Sequence, residues 1–257
     1  MPLAFTRGVS PRIVECALTH LERQAIDPDR AASQHGAYEQ ALGDAGFTVH
    51  RLEYLADDPD AVFLEDTAVL LGGHAVITLP GAASRRDEAG STARGLDPFF
   101  TVHRVGAGNL DGGDVLKVGK TLYVGQSNRT DVDGTRALDA IVTPLGYAVI
   151  PVELGRCLHL KTAVTLAGWT ADRRPVLLAN PEWVDPEVFG DADVIRVAEG
   201  EPFAANVVLA GDRLLMAAGS PKTMVELRGR GFTVVELDLS ELQKAEAGGT
   251  CMSLIAD

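Results

Sequence analysis

Three residue types in this chain could together form an activated nucleophile. Cys251 follows two glycines and a threonine in GGTC, and glycines leave room around an exposed side chain. His159 lies in LHLK, and Asp111 and Asp114 bracket a glycine pair in DGGD. A thiol, an imidazole and an orienting carboxylate are the usual parts of such a set. We predict Cys251 as the nucleophile and His159 as the general acid/base, with Asp111 or Asp114 as the carboxylate that orients it.

Two adjacent acids indicate a cationic ligand. Glu65 and Asp66 follow the apolar segment VFL, and in a turn both side chains could face one site. Carboxylates near a cysteine oppose thiolate formation, so their presence makes sense if they hold a cation. A guanidinium matches carboxylates with paired N–H groups. The residues alone support solvated acids of a hairpin equally well.

Two arginines stand at matching places after successive hairpins. Arg85 follows PGAAS, and Arg129 lies in GQSNRT one module later. Arginines at equivalent positions could clamp an α-carboxylate. Alternatively, each is a solvated charge near a helix start, where a cation is unfavourable without an anionic partner.

Composition excludes several classes of protein. The net charge of −13 repels phosphate backbones, so no nucleic-acid partner is expected. No run of 18 apolar residues could cross a membrane, and the N-terminal residues do not resemble a secretory signal. Three cysteines without a pairing pattern predict free thiols and a cytoplasmic location. Cysteine and histidine do not occur at zinc-site spacing, so neither a metal nor a cofactor is expected.

A repeat organises these residues. A glycine-aromatic pair followed by a β-branched strand recurs at Gly46-Phe47, Gly146-Tyr147 and Gly231-Phe232, as expected where a helix ends and a strand begins. Polar residues that precede hairpins form a second series of about 45-residue spacing. The members of this series are Asp66, Asp114, Thr162, Asn206 and Cys251.

Two independent marks of one period predict five modules of the ββαβ type in a single domain over residues 1–257. The two termini together supply one module. Modules of this kind must bury their apolar faces against each other, and a closed ring leaves no sheet edge at its ends. The polar residues would then meet at one end of the ring axis. The alternative is an open α/β sheet in which the spacing arises by chance.

The ordered motifs resemble the dimethylarginine dimethylaminohydrolases. The resemblance runs from about residue 5 to residue 253 and includes LDGGDV, LHLK and the terminal CMS, together with FLED, SRR, GQSNRT and AAN. It implies an α/β fold, the five-bladed α/β propeller of guanidine-modifying enzymes. It also implies hydrolysis of methylated arginines to citrulline through a covalent thiouronium on cysteine, with no cofactor. Apolar surface on an outer helix would allow a homodimer.

The resemblance also assigns roles around the guanidinium. Cys251 and His159 keep the roles given above, and Asp111 becomes the residue that orients His159. Glu65 and Asp66 would face the guanidinium, with Phe63 beside its methyl groups.

At the amino-acid end of the substrate, Asp60 would meet the α-ammonium, and Arg85 and Arg129 the α-carboxylate. Leu18 and its neighbours up to about Gly36 would form a mobile lid. Thr250 replaces a serine found in some members, which could alter how the backbone holds the substrate.

Other functions stay open at this point. A related hydrolase could act on arginine or on another guanidino compound such as agmatine, although agmatine has no carboxylate for two arginines to bind. An amidinotransferase or an arginine deiminase would normally be longer than 257 residues. A non-catalytic propeller that serves as a binding scaffold would lack the cysteine, histidine and acid set.

Overall fold

The computed structural model describes residues 2–256 and contains five three-stranded sheets. In chain order the strands are β1 (Leu3–Thr6), β2 (Thr48–Arg51), β3 (Ala68–Leu71), β4 (His74–Ile77), β5 (Thr101–Arg104), β6 (Val115–Val118), β7 (Thr121–Gln126), β8 (Ala148–Glu153), β9 (Val164–Trp169), β10 (Pro175–Ala179), β11 (Asp193–Arg196), β12 (Val207–Ala210), β13 (Arg213–Ala217), β14 (Thr233–Leu237) and β15 (Leu254–Ala256).

Six α-helices connect or flank these strands. They are α1 (Pro28–Asp44), α2 (Glu88–Leu96), α3 (Val132–Val142), α4 (Leu160–Ala163), α5 (Pro221–Gly229) and α6 (Ser240–Gln243). Among the described residues, no helix combines the length and the apolar character that crossing a membrane requires.

Every sheet has the same topology. An antiparallel hairpin comes first, and a third strand then joins it in parallel: β6 pairs with β7, and β8 returns through α3 to pair with β7. The remaining blade combines the two ends of the chain, because β15 pairs antiparallel with β1 and β1 pairs parallel with β2. The fivefold ββαβ architecture predicted from the sequence is therefore confirmed, including the shared terminal module.

The five sheets surround a central channel. A cavity of about 390 Å³ is lined by residues of β3, β6, β9, β12 and β15, the first strand of each hairpin. One strand from every blade faces the same space, which places these five strands around a common axis. The spacing of polar residues thus reflects a closed ring rather than an open sheet.

The glycine-aromatic pairs end helices, as predicted. Gly46, Gly146 and Gly231 have φ values of 93°, 81° and 91°, in the left-handed region that glycine adopts without a steric penalty. In each case the N–H of the following aromatic residue donates to a carbonyl five residues earlier. The fourth blade departs from the pattern, because a 3-10 helix over Pro186–Phe189 stands in place of a full α-helix.

Short helical turns precede the inner strands and bring the polar residues to one end of the ring. Four are 3-10 turns and the fifth is α4, and the first strand of the blade begins within two residues of the end of each turn. The 3-10 turns cover Leu64–Thr67, Gly112–Asp114, Pro202–Ala205 and Thr250–Met252. Equivalent turns of a ring lie at equivalent heights along its axis, so their side chains converge.

We expect the terminal blade to depend strongly on Phe5 of β1. Its ring is fully buried, and it packs against Phe99 and Phe100 with ring centroids 5.1 and 5.7 Å away. Phe5→Ala should lower the free energy of unfolding by about 3–5 kcal/mol, because it removes a large core side chain. Phe203→Ala is the matched control: that ring is 55% exposed and contacts Trp183, so its loss should stay below about 1.5 kcal/mol. Urea unfolding followed by circular dichroism measures both, and equal losses would contradict this packing.

Candidate active site

Most of the predicted site residues line one small cavity at the polar end of the ring. Its volume is about 30 Å³, room for only a few water molecules. The predicted residues that line it are Asp60, Phe63, Asp66, Arg85, Arg129, His159 and Cys251. Ala17, Leu158 and the segment 245–247 complete the wall. The candidate thiol and imidazole, 92 positions apart in the sequence, therefore share a cavity.

His159 lies between two carboxylates. Its Nε2 is 3.0 Å from Oδ2 of Asp111, and its Nδ1 is 3.8 Å from Oδ1 of Asp66. Burial of the imidazole lowers its pKa, but the negative charge of Asp66 and the hydrogen bond that the ring donates to Asp111 outweigh burial and raise the pKa to about 9. At neutral pH the ring is therefore an imidazolium that can donate a proton.

The structure separates the two candidate orienting acids. Asp111 contacts the imidazole, and its other oxygen accepts from the N–H of Gly81 at 2.8 Å. Asp114 instead accepts from the N–H of Leu160 at 2.9 Å, so it holds the backbone beside the histidine. Burial raises the pKa of Asp114 to about 6. Asp111 is thus the carboxylate in direct contact with His159.

Gly113, one of the two glycines between Asp111 and Asp114, leaves the space that His159 and Asp66 occupy. A Cβ on Gly113 would lie 2.6 Å from Nδ1 of His159 and 2.7 Å from Oδ1 of Asp66. The backbone N–H of Gly113 donates to that same oxygen of Asp66 at 3.2 Å. The DGGD motif therefore supplies one orienting acid, one backbone anchor and the room in which His159 and Asp66 approach each other.

The same cluster has ligand atoms that could hold a cation. Atoms of Asp66, Asp111 and His159 lie within 4.8 Å of one another. A metal would require a neutral imidazole, whereas the two carboxylates raise the pKa of His159 to about 9. The donor set is therefore better suited to a proton on His159 than to a metal ion.

The thiol of Cys251 is held in the protonated form. Burial raises its pKa to about 12, and the carboxylates of Glu65 and Asp66 act in the same direction. The N–H of Gly248 lies 3.4 Å from Sγ and favours the thiolate. A further positive charge in the cavity would lower the pKa of this thiol.

Asn206 fixes the loop that carries Cys251. Its amide oxygen accepts from the N–H of Thr250 at 3.0 Å, and its amide nitrogen donates to the Thr250 hydroxyl and to the carbonyl of Lys161. The loop packs directly on this amide, since a Cβ on Gly248 would lie 2.3 Å from the amide atoms. Any larger residue at that position would displace the loop that carries Cys251.

Glu65 lies beneath the catalytic cavity rather than in its wall. One carboxylate oxygen accepts from the Thr250 hydroxyl at 2.8 Å, and the other is 2.6 Å from Nζ of Lys161. These three residues also line the central channel. They form a polar floor that separates the channel from the space around Cys251. Of the two adjacent acids, Asp66 alone lines the catalytic cavity.

Arg85 is buried and is fully occupied by protein partners. Its guanidinium forms ion pairs with Asp66 and Glu88, and it donates to the carbonyls of Phe63 and Asp60 at 2.8 and 3.2 Å. The arginine therefore fixes the carboxylate of Asp66 and the backbone of the adjoining turn. Asp60, whose pKa is raised by burial, accepts from the N–H of Ala17.

The outer wall of the cavity is less tightly bonded. The guanidinium of Arg129 donates to the Thr19 hydroxyl at 3.1 Å. Leu18 does not line the cavity, although its neighbour Ala17 does. The predicted lid from Leu18 to Gly36 consists of two parts, because the chain is irregular as far as Asp27 and α1 follows.

Three residues important to this geometry were not predicted as site residues. Asn206 was recognised only as a member of the repeat, and Lys161 lies next to its Thr162 member. Both positions carried a signal, because Asn206 belongs to the series that converges on the axis and Lys161 adjoins it. Glu246, which bonds the irregular segment before α1, had no local sequence signal.

The chain is similar over nearly its whole length to characterised proteins, although no family model matches it. It is 39% identical to N(G),N(G)-dimethylarginine dimethylaminohydrolase of Streptomyces coelicolor, covering 98% of this chain and 95% of that protein. It is 36% identical to the protein of the same name from Pseudomonas aeruginosa, covering 89% of each.

Solved structures agree with the sequence matches. A mutant of the Pseudomonas aeruginosa enzyme, with cysteine replaced by serine and complexed with citrulline, superposes with a TM-score of 0.91 at 33% identity, covering 98% of both chains. A dimethylarginine dimethylaminohydrolase variant, present as an adduct with S-methyl-L-thiocitrulline, gives a TM-score of 0.90 at 34% identity, covering 99% of this chain and 100% of that one. With this identity and coverage, the chain belongs to the dimethylarginine dimethylaminohydrolase family.

Proposed function

We propose that this protein hydrolyses Nω-methylated arginines to citrulline and methylamines. The observation that carries the proposal is the shared cavity, in which a thiol and an imidazolium lie beside a buried carboxylate. The family relatives named above provide independent support. A bound guanidinium would bring a positive charge beside Asp66 and the thiol of Cys251.

In the first half of the reaction, the guanidinium binds against Asp66 and lowers the pKa of the Cys251 thiol by its positive charge, so that the thiol releases its proton to solvent. The thiolate attacks the guanidinium carbon and forms a C–S bond. His159 donates its proton to the substituted nitrogen as the C–N bond breaks. Dimethylamine or methylamine leaves, and an S-alkylthiouronium remains on the sulfur.

In the second half, His159 acts as a base. The neutral imidazole takes a proton from water, and the resulting hydroxide equivalent attacks the thiouronium carbon. The C–S bond breaks, the hydroxyl proton of the adduct passes to the departing sulfur, and citrulline leaves with the water oxygen while the Cys251 thiol is restored. Asp111 stabilises the imidazolium in both halves, and no cofactor enters the sequence of steps.

The amino-acid end of the substrate would bind at the outer part of the cavity. Asp60 faces the α-ammonium, and Arg129 faces the α-carboxylate in place of its contact with the Thr19 hydroxyl. Arg85 adds positive charge on that side while it holds Asp66. Phe63 would lie beside the N-methyl groups, and the Glu65–Lys161 floor would keep Thr250 in place below the guanidinium.

Replacing the nucleophile tests the mechanism directly. Cys251→Ser should reduce citrulline formation by at least about 10³-fold, because a serine hydroxyl is much harder to ionise than a thiol. Cys157→Ser, a matched change in a thiol outside the catalytic cavity, should keep citrulline formation close to that of the unaltered protein. Colorimetric citrulline measurement and intact mass of the trapped adduct give the readouts. Turnover by the Cys251→Ser protein would contradict covalent catalysis.

A panel of substrates tests the substrate class. Asymmetric dimethylarginine and monomethylarginine should be turned over with a higher kcat/KM than arginine, and agmatine should be poorest because it lacks the carboxylate that Arg129 would bind. Citrulline and released amine are measured together on purified protein. Preferential turnover of arginine would instead assign a deiminase activity to the same cavity.

The pH dependence should report the pair formed by His159 and Asp111. Because Asp111 raises the pKa of His159, Asp111→Asn should lower that pKa by about one unit or more. The alkaline limb of kcat, where His159 loses the proton that it must donate, should move to lower pH. NMR titration of His159 and a pH–rate profile measure the two effects. Asp172→Asn, in an exposed turn, is the control, and an unchanged His159 pKa in Asp111→Asn would contradict the assignment.

A further inference from the structure

One carboxylate holds the turn that covers the site. Glu246 accepts four hydrogen bonds from three consecutive backbone N–H groups: Thr19 at 3.0 and 2.9 Å, His20 at 2.5 Å and Leu21 at 2.6 Å. Consecutive N–H groups that converge on one anion form an anion-binding nest. About 225 residues separate the partners along the chain, so the contact is purely tertiary.

The backbone of Glu246 adopts a left-handed conformation that, among residues 2–256, is otherwise found at glycines and at Arg173. Its φ is +60°, and its N–H donates to the carbonyl of Gln243 while the next N–H donates to that of Leu242. This is the Schellman pattern that ends a helix. The same bonding pattern ends three other helices of this protein, and there the left-handed residue is Gly46, Gly146 or Gly231.

A glutamate at this position needs a reason, because a side chain in the left-handed region carries a steric penalty that glycine avoids. The other non-glycine residue of positive φ among residues 2–256 is Arg173, in an exposed hairpin turn. At Glu246 the steric penalty is compensated by hydrogen bonds, because this backbone conformation brings the carboxylate to the three N–H groups of the nest. The three glycine-ended helices of the same protein are thus the comparison for the helix end at Glu246.

Glu246 also stands where movement would open the site. Together with Leu158 and Ala247 it lines both the catalytic cavity of about 30 Å³ and a second, mostly apolar cavity of about 260 Å³. His20 and Leu21 line the second cavity. The catalytic cavity alone is too small for an amino acid of arginine size, and displacement of this shared wall would join it to the larger cavity.

We propose that Glu246 is a positioning residue that fastens the turn over residues 19–21 across the substrate cavity. When its carboxylate releases the turn, the two cavities join and the larger one becomes the entrance. When it binds the turn, the cavity closes around the substrate. The same residue directs the chain into the loop whose Gly248 N–H contacts Sγ of Cys251. The inference deepens the proposed function and rests on it only for the identity of the substrate.

Glu246→Gly separates this role from a role in folding. Glycine suits the left-handed position, so Tm should not fall, while the amides of residues 19–21 should exchange hydrogen at least about tenfold faster because their charged acceptor is gone. The KM for the methylarginine should rise several-fold and account for most of the loss in kcat/KM. Hydrogen–deuterium exchange with mass spectrometry, thermal melts and steady-state kinetics give the three readouts.

Two further variants make the test decisive. Arg173→Gly relieves the same backbone penalty far from the turn and should leave the exchange of residues 19–21 unchanged. Glu246→Gln keeps the backbone penalty and nearly the same side-chain size, and should also exchange faster at residues 19–21. Unchanged exchange in both Glu246 variants, faster exchange in Glu246→Gly alone, or a lower Tm in Glu246→Gly would overturn the proposal.

Exchange and melting are measured without substrate, which keeps the two proposals distinguishable. If hydrogen exchange increases in the Glu246 variants but no guanidino compound is turned over, the positioning role of Glu246 is supported and the proposed function is contradicted. If methylarginine is hydrolysed but exchange does not change in these variants, the proposed function is supported and the positioning role is contradicted.

Discussion

The catalytic end of this ring depends on neutralising carboxylates that have been removed from water. A buried carboxylate is costly unless a cation and hydrogen bonds compensate it. Three of them meet near the axis, and each faces a different cation: Arg85 pairs with one, Lys161 with another, and the imidazolium of His159 contacts the third. The turns before the inner strands must therefore hold their positions to within hydrogen-bond distances.

This balance of charge explains the state of the thiol. Arg85, Lys161 and His159 already have acidic partners, so burial and the acids keep the pKa of the thiol high until another positive charge arrives. A cationic substrate would provide that charge at the moment when it occupies the cavity. The reactive form of the sulfur would then be present chiefly when there is something to attack, which limits unwanted oxidation and alkylation.

The architecture could be predicted well from the sequence, because the repeat consists of features that interactions between nearby residues determine. Two features depend only on residues that are close in the sequence: the glycine at a left-handed helix end and the polar turn before each inner strand. Their regular spacing therefore predicted the ring. The floor made by Glu65 and Lys161, the anchoring by Asn206 and the contact of Glu246 join residues that are distant in the sequence. Such pairings depend on which turns become neighbours in space, which spacing alone does not specify. The partners of the Arg85 guanidinium could not be predicted either, because the same sequence motif would occur whether the arginine binds protein groups or a ligand.

The position of Cys251 depends on the pairing of β15 with β1, which are the last and first strands of the chain. Cys251 stands just before β15, and that strand forms its ladder with the first strand of the chain rather than with the blade that precedes it. A fluctuation that peels these two strands apart would loosen the sulfur while four blades stay folded. Loss of turnover would then be an early sign of damage to this protein, ahead of any change in its overall secondary structure.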